Sequence, residues 1–148
     1  MEIEKLLLRD AALVNDALPS YLETTDDAVG VLYESMRYSA LSGGKRIRPF
    51  LVLEFCRMFG GGEKAALPFA CAIECVHASS LIHDDMPCMD NDDLRRGKPT
   101  NHKVYGETLA ILAGDAMQPE AFRLIAQAEG LSAESRIAAV EAVSYTHL

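Results

Sequence analysis

The chain has 148 residues, 49% of them hydrophobic and 24% charged, which suits one domain large enough to bury a core. Its net charge of −8 excludes a general nucleic-acid binder. Of 14 Lys and Arg, seven fall in two short segments, Lys45, Arg46 and Arg48, then Arg95, Arg96, Lys98 and Lys103, a distribution suited to small anionic ligands.

Ile3, Leu6, Leu7, Asp10, Leu13, Val14 and Leu18 recur at helical spacing and predict an amphipathic helix ending near Pro19. Thr25 or Asp26 caps a second helix that turns Val29, Leu32, Met36 and Ala40 inward, and Gly43-Gly44 ends it. A third helix opens at Ile47 to Pro49 and runs to Phe59. After a glycine turn, a mostly apolar helix spans about Glu63 to Asp85 and is expected to be central and buried. Pro87 disfavours helix at Met86, so Met86 to Asn101 reads as loop with at most one turn near Asp92 to Arg95. Helix resumes near Tyr105, bends or breaks at Pro119 and ends near Gln127 before Gly130. Ser132 caps a last segment from Ala133. No strand pattern or internal boundary stands out, and the fold class is all-α.

Cys56, Cys71, Cys75 and Cys88 form no Cys-x-x-Cys pair, and the expectation is buried free thiols, with a zinc site second. The N-terminus lacks a signal-peptide apolar region, and no window reads as the roughly 18 apolar residues of a membrane span. These features suit a reducing cytoplasm.

Two segments carry chemistry. His83 to Lys98 places Asp84, Asp85, Asp90, Asp92 and Asp93 within ten residues and Arg95, Arg96 and Lys98 directly behind them. Carboxylates this dense repel one another unless a cation sits among them, and hard oxygen ligands suit Mg²⁺ shared with a substrate phosphate. An EF-hand is excluded, because Asp84 to Arg95 lacks both the Gly and the Glu that such a loop requires. On the preceding helix, Ile73, His77, Ser80 and Asp84 share one stripe at ~100° per residue. The second segment, Ser42-Gly43-Gly44-Lys45-Arg46-Ile47-Arg48-Pro49, sets a tight turn and three cations at a helix start, where an anion is favoured. It is not a Walker A loop, having no Ser or Thr after the Lys. Two anion sites beside a metal site suggest two phosphorylated substrates held together. Two diphosphates of roughly −3 each, about 6 Å apart at an effective dielectric near 20, repel by on the order of 25 kcal/mol, hence the counter-charges.

With these residues the chain resembles the trans-isoprenyl diphosphate synthases, the farnesyl and geranylgeranyl diphosphate synthase group, from Tyr38 to about Phe122. Gly43 to Pro49 matches that family's isopentenyl-diphosphate motif and Asp84 to Asp90 its first aspartate-rich motif. Leu94 to Thr100 and Leu112 to Ala116 match two further blocks. The resemblance implies a truncated helical bundle of the isoprenoid synthase type and prenyl transfer by ionisation, condensation and elimination. Gly44, Lys45, Arg48, His77 and Arg96 would bind isopentenyl diphosphate. Asp84 and Asp90 would ligate Mg²⁺ on an allylic diphosphate (dimethylallyl, geranyl or farnesyl), with Asp85 supporting and Arg95 touching that diphosphate. Ser79 and Ser80, five and four residues before Asp84, are the chain-length positions. The resemblance implies farnesyl or geranylgeranyl diphosphate as the product, and the small Ser79 favours the twenty-carbon one unless another helix supplies the floor of the pocket. The complete enzymes of the family are usually homodimers. Residues 1–148 correspond to the N-terminal half of the family's single domain, without its second aspartate-rich motif, and 143–148 read as a foreign tail. The expectation is therefore an inactive fragment with exposed core surface. The alternatives are a regulatory subunit or vestigial fragment that binds a full-length synthase, and a plain metal-binding helical domain.

Overall fold

In the computed structural model, which describes residues 2–145, the first helix α1 (Glu2–Tyr21) buries Asp10, Val14 and Leu18 at four-residue spacing. It continues past the expected stop at Pro19. A proline in a last turn forfeits its own N–H bond but leaves later amides free, and Leu22 N–H still donates to the Leu18 carbonyl at 3.1 Å. Asp26 caps as expected, its Oδ1 accepting from Ala28 N–H at 2.9 Å, but what it caps is a single 3₁₀ turn (Asp27–Val29) that leads into α2 (Gly30–Ala40). Helix α3 (Ile47–Met58) follows the glycine pair, and α4 (Glu63–Asp84) takes Pro68 within its second turn.

The acidic loop departs from expectation. It closes as a hairpin, β1 (Leu94–Arg95) antiparallel to β2 (Lys98–Pro99), with Arg96-Gly97 as its two-residue turn. Both turn residues have positive φ, 54° and 78°, which is the backbone of a type I′ turn. Helix α5 (Asn101–Tyr105) starts earlier than the sequence suggests. Gly106, at φ 82°, separates it from α6 (Glu107–Ala126), which runs unbroken through Pro119. Ser132 caps α7 (Ala133–Tyr145), its Oγ accepting from Ser135 N–H at 3.1 Å. Of the suspected foreign tail, Val143 to Tyr145 complete α7, and 146–148 lie outside the described residues.

The core centres on α4 and α6, which meet through small side chains: Cys75, Ala78 and Ser79 on one, Ala110, Ala113 and Gly114 on the other, all buried. Small residues let two helix backbones approach closely. Helix α4 is long and apolar enough to cross a membrane by composition, with mean hydropathy 1.5, contrary to the expectation that no window comes near. It is nevertheless 56% buried over that window, against its helical neighbours. Cys71 and Cys75 are buried thiols on this helix, and burial pushes Cys71 up to about 12. Cys56 is only half-buried and Cys88 is exposed on the acidic loop, so the expectation of burial fails for these two. Helix α3 exposes Ile47, Leu51 and Phe55, one turn apart, and α6 exposes Ile111 and Leu112.

Helix α2 holds the hairpin and α5. Asn101 Nδ2 donates to the Ser35 carbonyl (2.9 Å) and Ser39 Oγ (2.8 Å), Ser35 Oγ donates back to Asn101 Oδ1 (2.9 Å), and Tyr38 OH donates to the Pro99 carbonyl (2.8 Å). These bonds set the hairpin turn beside the loop that links α2 to α3.

Candidate active site

That linking loop passes Gly43 and Gly44 at φ 93° and 123°, then Arg46 at φ 51°, a strained conformation for a residue with a Cβ. Arg46 is held there by burial and three hydrogen bonds. Its guanidinium donates to Asn15 Oδ1 (2.9 Å), to the Ala40 carbonyl (2.7 Å) and to the carboxylate of Glu74 on α4. Arg46 is thus the cation of the motif that faces inward. It neutralises Glu74 and leaves Lys45 and Arg48, both exposed, on the other side of the turn.

Arg96 arrives from the hairpin turn and donates to the Gly43 carbonyl. Gly44, at φ 123°, holds a conformation that favours glycine, and a Cβ there would lie 2.5 Å from Arg96 Nη1. The result is one open pocket of about 190 Å³ lined by Lys45, Arg46, Ile47, Arg48, Glu74, His77 and Arg96. Four arginine or lysine cations face a single carboxylate there. Burial, and then the like charge of Arg46, hold the Arg96 guanidinium below its ordinary value, although it remains a cation at any working pH. Such a pocket favours an anion. The structure therefore brings Lys45, Arg48, His77 and Arg96 together around it, with Gly44 at its edge.

The stripe on α4 also forms: Ile73, His77, Ser80 and Asp84 are all half-buried along one face of the helix. Ser80 Oγ donates to the His77 carbonyl within the helix at 2.9 Å. Ser79 points elsewhere. It is fully buried against α6, donating to the Gly114 carbonyl at 2.8 Å, with Gln118 Nε2 at 3.4 Å from its oxygen. Ile73, at the far end of the stripe, lines an apolar pocket of about 330 Å³ between α3, α4 and α7.

The five aspartates divide by partner. Asp85 is buried and receives Arg95 side-on, from Nε at 2.8 Å to both oxygens and from Nη2 at 2.5 Å to Oδ1. This bond is the main reason that the Arg95 pKa rises. Asp92 lies 3.9 Å from Arg95, and Lys103 pairs with Asp93 at 2.7 Å, lowering the Asp93 pKa. Among the described residues, no cation comes within ion-pair range of the Asp84 and Asp90 carboxylates. The loop links these two directly, Asp90 N–H donating to the Asp84 carbonyl at 2.8 Å. Among the described residues no three acidic, His or Cys side chains cluster as a metal cage. Two hard carboxylates beside a cationic pocket fit Mg²⁺ in its usual shared form, with substrate phosphates completing the shell. The Asp84 and Asp90 carboxylates would hold such an ion.

Sequence reasoning missed three features. The Arg46–Glu74 pair was hidden because Glu74 sits alone in an apolar helix. The hairpin escaped notice because Arg-Gly is an uncommon pair at a type I′ turn. His83 was read only as the residue before Asp84, yet its ring lies over Gly114 of α6.

The polyprenyl synthetase family matches residues 29–147. The chain belongs to that family. Its relatives include a chloroplastic geranylgeranyl pyrophosphate synthase of Catharanthus roseus, 56% identical over 86% of this chain and 32% of the relative. Another is a heterodimeric geranylgeranyl pyrophosphate synthase large subunit 1 of Arabidopsis thaliana, 52% identical over 93% of this chain and 36% of the relative. Among solved structures, an apo FPP/GFPP synthase from Zymomonas mobilis superposes with a TM-score of 0.91 at 42% identity, covering 97% of this chain and 52% of that one. A geranyltranstransferase from Thermotoga maritima gives 0.82 at 41% identity, covering 95% and 50%. The fold is therefore the isoprenoid synthase helical bundle, and this polyprenyl synthetase chain spans about a third of its curated relatives and half of the solved ones. The relatives make prenyl transfer the chemistry of the family.

Proposed function

We propose that this polyprenyl synthetase chain supplies the isopentenyl-diphosphate pocket and one Mg²⁺-binding carboxylate wall of a short-chain trans-prenyl transferase that makes geranylgeranyl diphosphate. The observation that carries the reading is the division of charges: among the described residues, Asp85, Asp92 and Asp93 have cations within ion-pair range, Asp84 and Asp90 have none that close, and the cationic pocket includes His77 of the same stripe of α4. Lys45, Arg48, His77 and Arg96 bind the diphosphate of isopentenyl diphosphate. Asp84 and Asp90 would hold Mg²⁺, which would supply Lewis-acid stabilisation to the diphosphate leaving group of the allylic substrate. Arg95, oriented by Asp85, presents the rest of its guanidinium to that leaving group. The reading includes a homodimer for the complete enzyme, for which the exposed apolar faces of α3 and α6 are available. It also includes a reducing compartment, the cytoplasm, on the strength of the cysteine usage.

Prenyl-transfer assays test this in two parts. The 148 residues alone are expected to give no product above background, because one carboxylate wall cannot hold the full metal set, and robust turnover by the purified chain would overturn that. In a complete enzyme built on this sequence, Ser79→Tyr is expected to shorten the product from twenty carbons to fifteen. Unchanged product length would remove Ser79 from the chain-length machinery and leave Ser80, on the open stripe, as the candidate.

A further inference from the structure

His83 stands immediately before Asp84, and its imidazole reaches away from the stripe to α6. Nε2 lies 3.3 Å from the Ile111 carbonyl and 3.5 Å from Asp115 Oδ1, so this nitrogen, when it carries the ring proton, faces two oxygens a turn apart on α6. The ring occupies the space that a side chain at position 114 would fill: a Cβ built on Gly114 overlaps the imidazole. One turn earlier on α4, Ser79 donates to the carbonyl of the same Gly114. Two successive turns of α4 are thus registered on a single glycine. The loop that carries the carboxylates hangs from this point. The His83 carbonyl accepts from Met86 N–H at 3.2 Å, and the Asp84 carbonyl accepts from Asp90 N–H at 2.8 Å.

We propose that His83 is a positioning residue for the metal carboxylates: by locking the last turn of α4 onto Gly114 and Asp115 of α6, it fixes where Asp84, and through the loop Asp90, present their oxygens. Its Nε2 faces α6. Groups that orient a metal ligand from behind commonly govern affinity by about 10- to 100-fold. The inference rests on the metal reading proposed above.

The test is titration of Mn²⁺ into the 148-residue chain in the presence of inorganic diphosphate, with free Mn²⁺ read by electron paramagnetic resonance. Four proteins are compared: parent, Asp84→Ala, His83→Leu and His83→Gln, each checked for helix content by circular dichroism. His83→Leu, which keeps bulk over Gly114 and loses the donor, is expected to weaken Mn²⁺ binding about tenfold. His83→Gln, whose amide N–H can reach the same acceptors, is expected to restore most of it. If His83→Leu binds like the parent, or Gln is as weak as Leu, the positioning role is overturned while a weak Asp84→Ala still supports the metal site. If Asp84→Ala also binds like the parent, the metal reading fails and this inference with it.

Discussion

Glu74→Ala is expected to cost the chain about 3–5 kcal/mol of folding stability, the usual result of removing one partner from a buried ion pair. Both side chains are almost wholly enclosed, Arg46 1% and Glu74 4% exposed. A guanidinium cannot shed its proton to escape, so truncating Glu74 strands a charge with only Asn15 and the Ala40 carbonyl to receive it. The damage extends beyond energy. Arg46 sits at φ 51°, and its bonds hold the turn that throws Lys45 and Arg48 outward. The exposed pair Lys103–Asp93 provides the comparison, since ion pairs at the surface contribute about 0–1 kcal/mol. Urea unfolding followed by circular dichroism makes the measurement. A loss below about 1 kcal/mol would mean that the pair does not brace the pocket.

Asp10→Asn is expected to have the next largest effect, about 2–3 kcal/mol at pH 7, less than a fully buried pair because Arg57 keeps partial contact with water. Asp10 is completely buried in α1, and Arg57 of α3 grips both its oxygens, at 2.9 and 3.0 Å, while Arg9 adds a third bond at 3.0 Å. Burial by itself would raise the Asp10 pKa, but the hydrogen bonds from Arg57 and Arg9 outweigh it and hold the carboxyl below the ordinary 3.8. A folded-state pKa below the unfolded one means that the unfolded chain binds more protons in that range, so stability rises with pH there. The contribution is complete above about pH 5 and is lost as pH falls below 3.8 through the folded-state value. Thermal unfolding midpoints from pH 6 to pH 3 should therefore converge between parent and Asp10→Asn. Parallel curves would show that Asp10 does not titrate with folding.

Much of this was legible in the chain. Helical periodicity located the long helices because their apolar positions recur strongly, and the two charged segments located the site because few residue types could serve there. What escaped was set by contacts between distant residues. Helices α1 and α6 run through or past Pro19 and Pro119 because neighbouring amides and packing compensate one lost bond. Five aspartates crowd together in sequence, and the fold shows Arg95 and Lys103 pairing with three of them, Asp85, Asp92 and Asp93. The sequence marked Gly44 as a candidate diphosphate-binding glycine, and only the fold shows that it also lies against Arg96, which arrives 52 positions later along the chain.

The central claim is that this chain is built to hold a diphosphate between Lys45, Arg48, His77 and Arg96, and calorimetric titration with isopentenyl diphosphate tests it most directly. Lys45 and Arg48 are exposed, so replacing both with alanine should leave the fold unchanged. Each charge-assisted contact is worth roughly 1.5–3 kcal/mol, so the double variant, which loses two, is predicted to bind about 10²- to 10⁴-fold more weakly than the parent. A parent chain that ignores isopentenyl diphosphate, or a double variant that binds it equally well, would contradict the account.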